Sequence, residues 1–386
     1  MKQIPFAAGI GALLLLAACG GGQSALKLTK SGLDPENFKA DFRGDSTALY
    51  VLTNADGTEA CITNYGGRLV SMMVPDKNGK LQDVVLGFDS VQAYFPENNL
   101  SDFGASIGRY ANRINEGKFS LDGVEYQLPV NNYQHSLHGG TNLGDLGWQY
   151  RVYQAQQPND STLVLTINSK DGDNGYPGNV TATVTYTLTS DNALDIAYSA
   201  TTDKPTIINL TNHSYFNLNG DPSKDITDNM LMINASKITP VDSTFMTYGT
   251  FADVEGTPFD FRQARLISEG VTDFSNEQVK NGNGYDHNFV LDTNNDINTL
   301  AAELYSPATG IALDVYTNEP GIQVYSGNFL DGTVTGKNGQ VYNQRAAICL
   351  ETQHYPDSPN KPQWPTTRLN PGETYNSQCI YKFSVK

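Results

Sequence analysis

The chain has 386 residues, 39% hydrophobic and 17% charged, which excludes a disordered chain and a multi-span membrane protein and allows a large core. Its 41 acidic and 25 basic residues give a formal net charge of −16, which repels nucleic acid and phosphorylated ligands unless basic residues cluster. No such cluster and no nucleic-acid motif is present, so the expected partner is a small neutral molecule.

Taken in chain order, residues 1–18 read as a lipoprotein signal peptide. Lys2 provides a short positive start, and the run from Ile4 to Ala18 is apolar or small but too short to cross a bilayer. It ends Leu16-Ala17-Ala18-Cys19-Gly20, which resembles a bacterial lipobox. The resemblance implies cleavage before Cys19, lipidation of its thiol and a flexible tether over 19–30. It also implies a place in the bacterial cell envelope, held at the outer membrane and facing the periplasm, with the membrane touched only through the lipid. Residues 31–386 read as a single domain, with a monomer as the simplest state.

Within that domain, helical periodicity is confined to short pieces at 34–42 and 263–269. Strand patterns recur elsewhere. Thr47–Thr53, Thr162–Asn168, Val180–Thr189, Ala193–Ala200, Ile311–Thr317 and Ile380–Val385 alternate with period two or are rich in β-branched residues. Phe119–Tyr126 carries Asp122-Gly123 between two such arms, a hairpin signature. With 36 Gly, 18 Pro, 21 Tyr and 16 Phe, the reading is all-β: a large antiparallel β-sandwich of two packed sheets.

Several motifs invite chemistry and fall short of it. His135 and His138 share an i,i+3 spacing but sit in a Gly-rich loop without a third ligand at a fixed spacing. Asp292, Asn294, Asp296 and Glu303 occupy calcium-loop spacings, but Ile297 stands where the turn glycine belongs, so a surface hairpin loop is expected. Lys337 lies in a stretch with the wrong spacing for a phosphate loop, and no nucleophile elbow occurs. Cys61, Cys349 and Cys379 have neither disulfide nor zinc spacing and read as buried strand residues. No metal and no cofactor is expected.

Two segments differ from these. Asn209–Leu218 places His213 among hydrogen-bonding side chains. Ala347–His354 places a lone carboxylate, Glu351, in an apolar strand, where burial is costly without a partner. Spacing alone leaves both open to a structural reading.

At these residues the chain resembles the aldose 1-epimerase (mutarotase) family. The likeness runs in order through I-T-N-Y-G-G (62–67), V-P-D (74–76), D-V-V-L-G-F-D (83–89) and I-G-R-Y-A-N-R-I (107–114). It continues through S-L-H-G-G (136–140), G-Y-P-G (175–178), N-H-S-Y-F-N-L (212–218) and Y-D-H-N-F-V (285–290). E-P-G-I-Q-V-Y-S-G-N-F-L (319–330) and L-E-T-Q-H (350–354) complete it. The resemblance implies a galactose mutarotase-like supersandwich with an open sugar-binding face. It implies His213 as general acid and Glu351 as general base, with Asn112, Arg113, His138, Asp286 and Gln323 binding sugar and Tyr215 lining the site.

The implied reaction interconverts α and β anomers of free hexoses such as galactose and glucose. Ordinary pKa values leave Glu ionised and His partly protonated near neutrality, and a carboxylate neighbour is expected to hold the imidazole protonated. The alternative is a non-catalytic sugar-binding envelope lipoprotein of the same fold.

Overall fold

The computed structural model describes residues 28–141, 144 and 146–386; the lipobox and Cys19 lie outside the described residues. The largest sheet has nine strands. In spatial order they are Gln154–Asn159, Thr162–Ser169, Val180–Leu188, Ala193–Thr202, Tyr375–Val385, Ile311–Thr317, Leu300–Tyr305, Met230–Ile233 and Arg265–Leu266. Facing it is a six-stranded sheet of Tyr215–Phe216, Ile348–Gln353, Gly321–Tyr325, Asp286–Leu291, Ala235–Thr239 and Ala252–Asp253. Every strand pairing in the two sheets is antiparallel.

Alternation explains how the sheets stack. Val180, Ala182, Val184, Tyr186 and Leu188 point inward, while the Thr residues between them are partly or fully exposed. They share one hydrophobic cluster with Ile322, Val324, Ile348 and Leu350 of the six-stranded sheet, so the main core lies between the two layers. The Tyr381 hydroxyl donates to the Leu350 carbonyl at 2.7 Å, a cross-layer hydrogen bond that satisfies a buried polar group. A four-stranded sheet, Leu49–Thr53 to Leu81–Asp83, closes a second aromatic cluster around Tyr65, Tyr94 and Phe103.

The expected strands are present, with ends moved by a few residues, and the Asp122-Gly123 hairpin pairs Leu121 with Val124. Both turn residues have positive φ, 51° and 81°, as a two-residue hairpin requires. The expected helices differ. Residues 34–42 form a single 3-10 turn, Pro35–Phe38, and a two-residue strand, Asp41–Phe42, and 263–269 form a two-residue strand and a 3-10 turn, Ile267–Glu269. Among the described residues the one α-helix lies instead at Glu277–Gly282, where the Asn276 side chain caps the Gln278 and Val279 N–H groups. Six residues are too few to print a 3.6-residue period.

The 292–303 loop does not gather its carboxylates. Asp296 accepts from Asn298 and Thr299, Asp292 accepts from Ser236, and Glu303 sits in the strand Leu300–Tyr305 paired to Lys386. Cys61, Cys349 and Cys379 are buried and free.

Candidate active site

The two faces of the six-stranded sheet have different tasks. In Ile348–Gln353, Ile348 and Leu350 enter the core, so Cys349, Glu351 and Gln353 face the other way. In Gly321–Tyr325 the same alternation turns Gln323 and Tyr325 outward. In Asp286–Leu291, Phe289 and Leu291 enter the core and Asp286 faces out. Register sets Gln323 opposite Glu351 and Tyr325 opposite Asp286. The Gln323 amide then reaches diagonally to donate to Asp286 Oδ1 at 2.7 Å.

The remaining walls come from loops docked on that face. Thr211–His213 pairs with Ala105–Ile107 and carries His213 over Glu351. Ser136–Leu137 pairs with Arg113–Ile114, and the His138 N–H donates to the Asn112 carbonyl at 3.1 Å. Gly139 makes this docking possible. Its φ is +81°, and a Cβ there would lie 2.2 Å from the Gly108 carbonyl oxygen.

Together these elements enclose a cavity of about 390 Å³. Asn112, Arg113, His138, His213, Tyr215, Asp286, Gln323 and Glu351 all line it, so every site residue singled out within the described residues meets in one place. Asp102, Asn132, Phe245, Tyr325 and Phe329 also line it and were missed. Tyr325 was within reach of the sequence, since it stands two residues after Gln323 on the same strand face. Asp102 and Phe245 carried no such signal.

His213 Nε2 lies 3.6 Å from Glu351 Oε1, and both side chains are almost fully buried. His213 Nδ1 and Glu351 Oε2 are buried without hydrogen-bond partners. The imidazole stacks on Tyr215, ring centroids 5.1 Å apart, and meets the His138 ring edge-on at 5.1 Å. Arg113 donates from Nε to Asn132 at 3.1 Å and lies over the Phe245 ring.

The protonation of this pair corrects the sequence expectation. Burial pushes His213 down to about 3, with Arg68 adding to the effect. Burial also pushes Glu351 well above the usual carboxylate range. Asp286 and Asp102 reinforce that rise and Arg113 opposes it. Loss of water dominates at both groups, so both move toward their neutral forms. Burial raises Asp286 as well, against the pull of Arg113 and Gln323.

Two sets of metal-ligand type, Asp102–His138–His213 and His213–Cys349–Glu351, bring their atoms within 4.8 Å of one another. Neither suits a cation as it stands. His138 Nδ1 accepts the Asn112 N–H at 3.2 Å, which leaves the neutral ring's proton on Nε2, and burial pushes the Cys349 thiol well up. The other histidines are structural. His135 bridges Glu116 N–H and Thr244, His287 is in the core, and His354 binds Glu319 at 2.6 Å.

Residues 48–382 match the family model described as aldose 1-epimerase. The chain belongs to the aldose 1-epimerase family. It is 41% identical over 331 residues to a galactose mutarotase of Rattus norvegicus, covering 86% of this chain and 92% of that protein. It is 39% identical over 343 residues to the aldose 1-epimerase of Escherichia coli K12, covering 88% and 96%. Among solved structures, a GalM/aldose epimerase homologue from C. elegans superposes with a TM-score of 0.80 at 32% identity, covering 88% of this chain and 99% of that one. A galactose 1-epimerase from Lactobacillus acidophilus gives 0.78 at 30% identity, covering 90% and 97%. The all-β supersandwich and the epimerase activity follow: the chain is an isomerase that interconverts the anomers of an aldose.

Proposed function

We propose that the aldose is a free hexose such as galactose or glucose, with Glu351 as base and His213 as acid. The observation that carries this reading is the buried contact between them, with one carboxylate oxygen and one ring nitrogen still unpartnered. Ring opening requires that one group take the proton of the anomeric hydroxyl while another protonates the ring oxygen. Glu351 takes the first proton and His213 delivers the second. The bond between the anomeric carbon and the ring oxygen breaks, leaving an open aldehyde. That aldehyde turns half a revolution about its bond to the next carbon and recloses from its other face, with the two groups exchanging roles.

The bound sugar reverses the pair's tendency toward neutrality. A hydroxyl donating to Glu351 and a ring oxygen accepting from His213 each hydrogen-bond the charged form, and such bonds favour it. The substrate thus draws the proton from carboxyl to imidazole where the reaction needs it. Arg113 and Asp286 orient hydroxyls through charged hydrogen bonds, with Gln323, Asn112 and His138 as further partners and Tyr215 as a wall.

Polarimetry on freshly dissolved α-galactose tests the roles. Glu351→Gln should slow mutarotation by roughly 10²–10⁴-fold with an unchanged circular dichroism spectrum. Normal activity in that variant would overturn the assignment of Glu351. We also propose that the chain is lipid-anchored through Cys19 in the cell envelope, supported by the Leu-Ala-Ala-Cys sequence. Labelling with radioactive palmitate should be lost in Cys19→Ala, and labelling that persists would exclude that anchor.

A further inference from the structure

The mechanism leaves one carboxylate in the cavity without a task. Asp102 lines the cavity beside His138 and His213, and its Oδ1 is buried without a hydrogen-bond partner. An unsatisfied buried acceptor costs stability and calls for a reason. Its backbone is held firmly. Arg68 Nη1 donates to the carbonyls of Ser101 and Phe103, both at 3.0 Å, on either side of Asp102, and Nη2 donates to the Gln149 carbonyl at 2.7 Å. The Ala105 N–H closes the turn onto the Asp102 carbonyl at 3.0 Å.

One Asp102 oxygen and one ring nitrogen from each of His138 and His213 lie within 4.8 Å of one another, yet no direct hydrogen bond joins Asp102 to either ring. Two hydrogen bonds of about 2.8 Å meeting at one tetrahedral oxygen span roughly 4.5 Å. A separation of up to 4.8 Å leaves room for a single oxygen atom held between the carboxylate and an imidazole. His138 fixes the chemistry of that oxygen. With Nδ1 accepting from Asn112, its Nε2 is a donor, so the oxygen must accept from His138 and donate to Asp102. An alcohol does both; an ether oxygen or a carbonyl oxygen cannot donate.

We propose that Asp102 is a specificity-determining residue that accepts a hydrogen bond from one ring hydroxyl of the bound aldose, the same hydroxyl that accepts from His138. This rests on the reading that the cavity binds a free aldose. Burial holds the Asp102 carboxyl up at about 6, against the pull of Arg68 and of the Gln149 side chain, and the hydroxyl supplies a partner for the one oxygen, Oδ1, that lacks one.

The test measures kcat and KM for mutarotation by wild-type protein, Asp102→Ala and Asp102→Asn on galactose and on each monodeoxygalactose. Asp102→Ala should raise KM for galactose by about tenfold or more, the loss expected of one hydrogen bond to a charged group, with kcat changed far less. Asp102→Asn, which keeps a carbonyl acceptor, should fall between. For one deoxy sugar, the one lacking the bound hydroxyl, wild type and Asp102→Ala should have the same KM. An unchanged KM in Asp102→Ala overturns the proposal. So does an equal KM rise for every deoxy sugar, which would mean that Asp102 holds only a water or shapes the wall. An inactive wild type would instead remove the hexose reading on which the proposal stands.

Discussion

Two buried side chains set the chemistry of the site. Burial moves His213 down and Glu351 up, so the pair favours a neutral imidazole, against the sequence expectation of a carboxylate-stabilised imidazolium. Nitrogen NMR of the imidazoles should show His213 neutral from pH 7 down past its ordinary 6.5, protonating only toward about 3. Adding galactose should raise its pKa, because the ring oxygen and the ionised Glu351 favour the imidazolium. Titration of sugar-free His213 at its ordinary value would contradict the burial argument. Arg113 acts through shape as well as charge, since its Nε is committed to Asn132 and its plane lies over Phe245. Arg113→Lys keeps the charge and loses both features. KM for galactose should rise by about tenfold, as expected for a lost hydrogen bond to a charged group, and kinetics at saturating and limiting sugar would separate this from an effect on kcat.

Among the elements, the strand Ile348–Gln353 does two tasks by simple alternation. Leu350 points into the core and its neighbour Glu351 into the cavity. Leu350→Ala should cost about 2–5 kcal/mol of stability, read from urea unfolding, because a buried side chain is removed where the surroundings relax little. A one-residue slip would exchange the two faces and send the carboxylate into the core, so pairing on both sides of this strand is tightly specified. The docked loops depend on Gly139. Gly139→Ala combines a strained φ with a Cβ 2.2 Å from the Gly108 oxygen. It should lower the thermal midpoint and raise KM together, because His138 and Asn112 are tied across that junction. A variant with wild-type midpoint and KM would mean that the loop gives way freely.

Over the whole molecule, buried neutral imidazoles shape acid sensitivity. His287 lies in the core against Phe259, with ring centroids 4.6 Å apart, and burial holds it down to about 3. Its unfolded value is the ordinary 6.5, so between these limits the unfolded chain binds the extra proton. Stability therefore falls as pH drops through that window, by about 1.4 kcal/mol per pH unit for this one group. Burial of Asp102 and Glu351 has the opposite sign in its own range, so the clean measurement is a difference. Unfolding free energies of wild type and His287→Gln at a series of pH values from 7 to 4 should converge at lower pH. Parallel curves would show that His287 is not the source.

Much of this was open to the sequence alone because it is periodic or chemically marked. Period-two runs such as Val180–Leu188 determine strands, since only alternation lets one face bury and the other meet water. Asp122-Gly123 determines a hairpin because few residue pairs accept two positive φ values. The ordered motifs singled out His213, Glu351 and their six companions, all of which line one cavity. The tertiary structure alone decided the rest. The helix at Glu277–Gly282 is too short to leave a period, and the helical patterns at 34–42 and 263–269 gave way to a single 3-10 turn and a two-residue strand each. Asp102 entered the cavity because Arg68, far away in sequence, pins the carbonyls on either side of it. The protonation of His213 and Glu351 depends on how completely two sheets and several loops exclude water, a property of their packing that neither residue carries in the chain.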